Sequence, residues 1–365
     1  MEKIIARLKF PLLAAGLLAL VAGTWAGLLR IGWTGPLIRP NLPAAHGPLM
    51  VGGFLGTVIG LERAVALAAA LGGGPPLRWP YLGPLLTGLG GLSLLIAPTA
   101  PIGAVLLTAG SLNLVLVFGT ILRRHLAAYT MTMALGALVW FLGNLLWLLG
   151  QPLYMVVWWW SGFLILTIAG ERLELGRILR HSRAVQTLFW SAAGLLLAGL
   201  PLSLFWPAGG VRLNGLGALG LALWLLRFDV ARYTVRKTGL TRFMALALLS
   251  GYGWLAFSGV LSLWFGPVSG GLRYDAGLHA VYLGFVLAMI FAHAPIIFPA
   301  ITGRPIPFRP TFYLHLGLLQ LSLVIRVASD LAVWPIARQW SGLFNALALA
   351  LFLFNTAYAL LNAEK

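Results

Sequence analysis

The chain has 365 residues, 60% of them hydrophobic and only 9% charged, with a mean hydropathy of +0.93. Soluble domains carry about 25% charged residues, so this composition excludes a water-soluble globular fold. The net charge of +17 does not point to a nucleic-acid partner, because the basic residues are scattered through short joins and leave no basic domain.

Twelve apolar segments follow in chain order, at 9–31, 45–70, 80–97, 100–122, 126–149, 152–170, 183–205, 211–228, 242–265, 275–300, 311–329 and 337–361. Most reach the roughly 20 residues that a spanning helix needs. The expected fold is an all-α integral membrane protein with twelve transmembrane helices in a single domain, 1–365. The first segment has the basic flank of a signal peptide, but its apolar core exceeds the usual ~7–15 residues and reads as a permanent helix.

With the N-terminus cytoplasmic, only Arg30, Arg39, Arg212, Arg273, Arg326 and Arg338 of the 25 Lys and Arg fall on the outer side. The positive-inside rule therefore predicts both termini in the cytoplasm. Trp33, Trp147, Trp158, Trp159, Trp160, Trp206, Trp264, Trp334 and Trp340 fall near the outer ends, as an interfacial aromatic belt requires.

Polar side chains inside such segments are costly and call for a reason. In the second segment, His46 opens the run His46-Gly-Pro-Leu-Met-Val-Gly-Gly-Phe54, and Gly52, Gly56 and Gly60 share one helix face. That face suits either close helix packing or the approach of a flat macrocycle. The same segment ends in Glu62-Arg63, and the sixth ends in Glu171-Arg172.

The tenth segment opens with His279 and carries His293 near its inner end, on nearly the same face at ~100° per residue. His315 begins the eleventh segment, which later holds Arg326 and Asp330 one turn apart, an expected ion pair. His125 and His181 sit among arginines in the joins and read as solvated.

His46 and His279 both begin inward-running helices. Two neutral imidazoles at like depth are the axial donors of a low-spin haem, and a helix N-terminus disfavours the imidazolium form. Arg326 could then neutralise a haem propionate. Glu62, Glu171 and His293 could form a second site nearer the cytoplasm, holding copper or another transition metal or relaying protons. No cysteine exists to supply thiolate ligands or an iron–sulfur cluster.

Polar residues recurring on the second, sixth and tenth segments suggest three four-helix repeats in a pseudo-three-fold bundle. At His46 to Phe54, at His279-Ala with Thr302-Gly303-Arg304-Pro305, and at Leu323-Val-Ile-Arg326-Val-Ala328, the chain resembles the NnrS family of twelve-span bacterial membrane proteins. The resemblance implies a bacterial inner-membrane location, haem b, copper, and a role in redox or nitric-oxide stress. The family's opening carries a second His and a Glu where this chain has Pro48 and Leu49.

The three-by-four layout also resembles the catalytic subunit of haem-copper oxidases. However, the sixth and seventh segments here contain no histidine to hold copper. The leading expectation is a haem-binding membrane protein served by an electron-donor protein or quinol. A proton-coupled permease using buried Glu and His, or a structural subunit of a membrane complex, are the alternatives.

Overall fold

The computed structural model describes residues 2–36, 39–70 and 78–362, with side chains from residue 9 onward except at 70 and 300–302. Among these residues the secondary structure is helical throughout, and twelve helices are long and apolar enough to cross a membrane. The protein is an all-α, twelve-span membrane protein.

The spans run Lys9–Arg30, Leu42–Ala69, Trp79–Ile96, Pro101–Arg124, Ala128–Leu148, Leu153–Leu179, Arg183–Phe205, Pro207–Phe228, Gly239–Phe265, Leu272–Pro299, Phe312–Leu331 and Pro335–Leu361. Several starts are set by proline at the first helical turn, where its missing N–H costs nothing: Pro101, Pro207 and Pro335. At the seventh span Ser182 caps the helix, its Oγ accepting from the Val185 N–H at 3.4 Å.

Burial follows a period of four. The second, sixth and tenth spans are 67, 78 and 72% buried, against 33–50% for the other nine described spans. Their sequences agree with this, since a helix apolar all round is one surrounded by protein.

The chain condenses into two compact units, Met1–Phe163 and Leu164–Lys365, and the boundary falls within the sixth span. In the first unit the first and third spans pack along the second, and the third, fourth and fifth follow as hairpins. Amides join them: Asn113 accepts from the Gly83 N–H at 3.0 Å and donates to the Trp79 carbonyl at 3.1 Å. Such side-chain bonds hold helices together where no hydrophobic force acts between them and lipid.

In the second unit the seventh, eighth and ninth spans pack in sequence, and the eleventh pairs with the twelfth. The seventh and eighth approach closely at Gly217, where a Cβ would stand 2.2 Å from the Leu196 backbone nitrogen. Gly217→Ala should therefore cost roughly 1–3 kcal/mol, the usual penalty of overpacking. Thermal unfolding in detergent should show a lowered midpoint for it and none for Gly194→Ala, where nothing lies within 4 Å.

The tryptophans divide. Trp206, Trp264, Trp334 and Trp340 are exposed, as belt residues must be, but Trp159 and Trp160 are core. Trp160 donates from Nε1 to Asn144 Oδ1 at 2.9 Å and meets Trp147 edge-on. The belt expected from sequence is therefore a belt only in part. The Trp160 indole N–H finds a buried amide partner, as buried indoles usually do.

Candidate functional site

Both singled-out histidines introduce the same local irregularity. His46–Pro48 is a short α-helical turn leading into an eight-residue π-helix, Leu49–Gly56. His279 ends the α-helix Leu272–His279, and an eight-residue π-helix, Ala280–Leu287, follows it directly. π-Helical turns are rare, mostly short, and concentrated at functional sites.

In the first unit, His46 Nδ1 donates to the Gly23 carbonyl at 2.7 Å. The ring lies against Gly27, where a Cβ would come within 2.8 Å of Cε1. Because a carbonyl can only accept, the ring proton is on Nδ1 and the lone pair of the neutral imidazole is on Nε2. Two small residues on the first span thus fix the tautomer and the orientation of His46.

In the second unit, His279 Nδ1 donates to the Asp275 carbonyl at 2.9 Å and stands 3.3 Å from Asp275 Oδ1. Again the lone pair is on Nε2. The Asp275 carboxylate accepts from Arg326 Nε at 2.9 Å and from Arg326 Nη2 at 3.2 Å, a bidentate pair. Arg338 Nη2 reaches Asp275 Oδ1 at 3.3 Å, and Arg338 Nε pairs with Asp330 Oδ1 at 2.8 Å. Two arginines and two aspartates from three spans therefore balance in charge behind His279.

This network corrects two expectations. Arg326 pairs with Asp275, not Asp330, because Asp275 offers both oxygens in the fork geometry that guanidinium prefers. The charge on Arg326 is met by protein, so no propionate is needed for it. The tenth helix also begins at Leu272, which puts His279 two turns inside, beyond the first turn where the helix dipole acts. Asp275 orients the ring instead, as a carboxylate does behind metal-bound histidines.

The glycine face of the second span is decided as well. A Cβ on Gly52 would meet Leu107 at 2.5 Å, on Gly56 Trp140 at 2.4 Å, and on Gly60 Pro84 at 3.4 Å. Neighbouring helices fill that face, and it seats no macrocycle.

The remaining candidates separate. Glu62 pairs with its neighbour Arg63 at 2.8 Å; both side chains are long enough to curl together and remain partly exposed. Arg172 is buried and pairs with Asp229, Nε to Oδ2 at 2.8 Å and Nη2 to Oδ1 at 3.0 Å. Glu171 lies within electrostatic reach of His293.

His315 is a core histidine. Its Nδ1 accepts from Asn355 Nδ2 at 3.1 Å, and Phe243, Phe291, Phe312 and Phe352 enclose the ring. His125 is exposed beside Tyr129, and His181 lies edge-on to Trp224. Among the described residues no three His, Cys, Asp or Glu side chains converge as a metal-ligand group. The Thr302 side chain lies outside the described residues.

A model of a domain of unknown function, DUF8744, matches residues 7–361, nearly the whole chain. The chain belongs to the DUF8744 family. No curated protein matches it.

Sequence reasoning missed Asp275, Arg338 and Asp229 in this DUF8744 protein. Asp275 was findable, since it precedes His279 by four residues and so shares its helix face. Asp229 carries no such signal, because its partner Arg172 is remote in sequence.

Asp229→Asn in this DUF8744 protein leaves Arg172 buried and unpaired, which should cost ~3–5 kcal/mol. Glu62→Gln removes a partly exposed pair worth ~0–1 kcal/mol. Unfolding of the two variants in detergent should differ accordingly.

Proposed function

We propose that this protein binds haem b in the bacterial inner membrane, with His46 and His279 as the axial imidazoles. The carrying observation is that each compact unit independently builds the same half-site. A histidine precedes an eight-residue π-helix, and a main-chain carbonyl holds its Nδ1 proton so that Nε2 carries the lone pair. The donor set fits the group, since neutral imidazole from Nε2 is the ordinary axial ligand of low-spin haem.

The chain's own residues set the ligands' properties. Gly23 and Gly27 clamp the His46 ring, and Asp275 draws the Nδ1 proton of His279, raising the basicity of Nε2. Bound haem would supply one-electron chemistry, with an electron-donor protein or quinol as partner. The similarity of the His46 and His279 segments to NnrS proteins favours a redox role linked to nitric-oxide stress. The distribution of Lys and Arg favours cytoplasmic termini.

Gently extracted protein should show sharp α and β bands when reduced. His46→Ala and His279→Ala should each abolish them, and His125→Ala should not. A colourless protein that stays without such bands after haem loading would refute the reading. Asp275→Asn should keep the bands but weaken haem retention about 10–100-fold, the usual effect of removing a carboxylate behind a ligating histidine. Haem transfer to apomyoglobin measures that retention.

A further inference from the structure

The second unit carries a surface that the haem reading does not use. The stretch 176–183, where the sixth span gives way to the seventh, holds three arginines. The stretch 227–242, between the eighth span and the ninth, holds four arginines and a lysine. The two stretches meet. Trp224 Nε1 donates to the Val185 carbonyl at 2.8 Å, and the His181 ring stands edge-on to Trp224 and Phe228, with centroids 5.2 and 6.2 Å apart. Arg180 and Arg183 flank His181 in the chain and Arg227 flanks Phe228, so three exposed guanidiniums gather around one aromatic contact.

One carboxylate lies in these stretches, Asp229, and it is buried and taken by Arg172. Among the described residues, none of the eight cations has an Asp or Glu within ion-pair distance. The network behind His279 is the contrast, since there two arginines are met by two aspartates. Like charges gathered without counter-charges repel one another, and the field they make attracts an anion from outside the chain.

Water alone suits the guanidiniums but not their neighbours. Ile178, between Arg177 and Arg180, is 85% exposed, and Leu179 beside it is exposed as well. Leu223 is exposed one turn before Arg227, on the same helix face and about 6 Å further into the span. Cationic heads beside exposed aliphatic side chains match a ligand with an anionic head and hydrocarbon chains. The turn is also strained: Arg180 holds a left-handed backbone, φ 40° and ψ 65°, which any residue with a Cβ resists. Such strain collects where function needs a fixed geometry.

We propose that this surface binds an anionic phospholipid. Arg180, Arg183 and Arg227 receive the phosphate, and Ile178 and Leu223 lie along the acyl chains. Free phosphate offers the same charge with nothing for the aliphatic residues, and a phospholipid with a neutral headgroup offers the reverse. The surface uses neither His46 nor His279, so it stands or falls apart from haem.

Native mass spectrometry of the full chain in mild detergent, titrated with synthetic phosphatidylglycerol, tests this. The expected result is a saturable one-lipid adduct that phosphatidylcholine does not form and excess inorganic phosphate does not displace. Arg180→Gln, Arg183→Gln and Arg227→Gln combined should weaken it about 100-fold, or roughly fivefold for each basic residue at an anionic membrane surface. Arg123→Gln with Arg124→Gln, exposed in the first unit, should leave it unchanged. If the triple variant does not fold, salt supplies the test in the unaltered chain. Raising it from about 0.1 M to 1 M cuts the screening length from ~10 to ~3 Å and should weaken the adduct. An adduct that survives the triple replacement, that salt leaves unaltered, or that phosphatidylcholine forms equally overturns the proposal. So does displacement by inorganic phosphate, which marks a plain anion site. Uptake of polyglutamate without phosphatidylglycerol assigns the surface to an acidic polypeptide and overturns it too.

Discussion

A charge placed in hydrocarbon must be matched by an opposite charge within the protein. Breaking such a pair typically costs about 3–5 kcal/mol, far more than an exposed ion pair contributes. The second unit meets this demand twice. Arg172 and Asp229 close a bidentate pair near one end of the sixth span. Asp275, Arg326, Arg338 and Asp330 close a larger network across the tenth, eleventh and twelfth spans. Spans bearing these groups are fixed in rotation, because turning any one of them would strand a buried ion. The side chains that share those faces, His279 and His293, inherit that fixed orientation.

The first unit reaches a similar end by different means. It has no comparable ion network among its described residues, and close glycine packing does the orienting. Gly23 and Gly27 receive Met50 and His46 from the second span, while Gly52 and Gly56 receive Leu107 and Trp140. Glycine here is a device for bringing helices together where lipid offers no hydrophobic gain. The outcome is an imidazole held through Nδ1 in each unit, once by a glycine carbonyl and once by an aspartate.

The fold was legible because bilayer thickness writes itself into the chain as apolar runs of fixed length. The burial of the second, sixth and tenth spans was legible for a related reason: those segments carry polar residues that lipid would not tolerate. Partners were not legible. Arg326 reads naturally against Asp330, one turn away, yet Asp275 on another span takes it, since guanidinium geometry outweighs proximity in sequence. Gly52 and Gly56 suited a ligand or a helix equally well until the positions of Leu107 and Trp140 were known. The π-helices after His46 and His279 left no signature in composition, because an added residue per turn changes backbone bonding and not hydropathy.

Imidazole coordination by both histidines is the claim on which the functional account stands. Pulsed electron paramagnetic resonance of the ferric protein, prepared with isotope-labelled histidine, reads it directly. The account predicts a low-spin iron signal coupled to two histidine nitrogens, one of which disappears in His46→Ala and the other in His279→Ala. A signal coupled to neither, or one that both replacements leave intact, would contradict it.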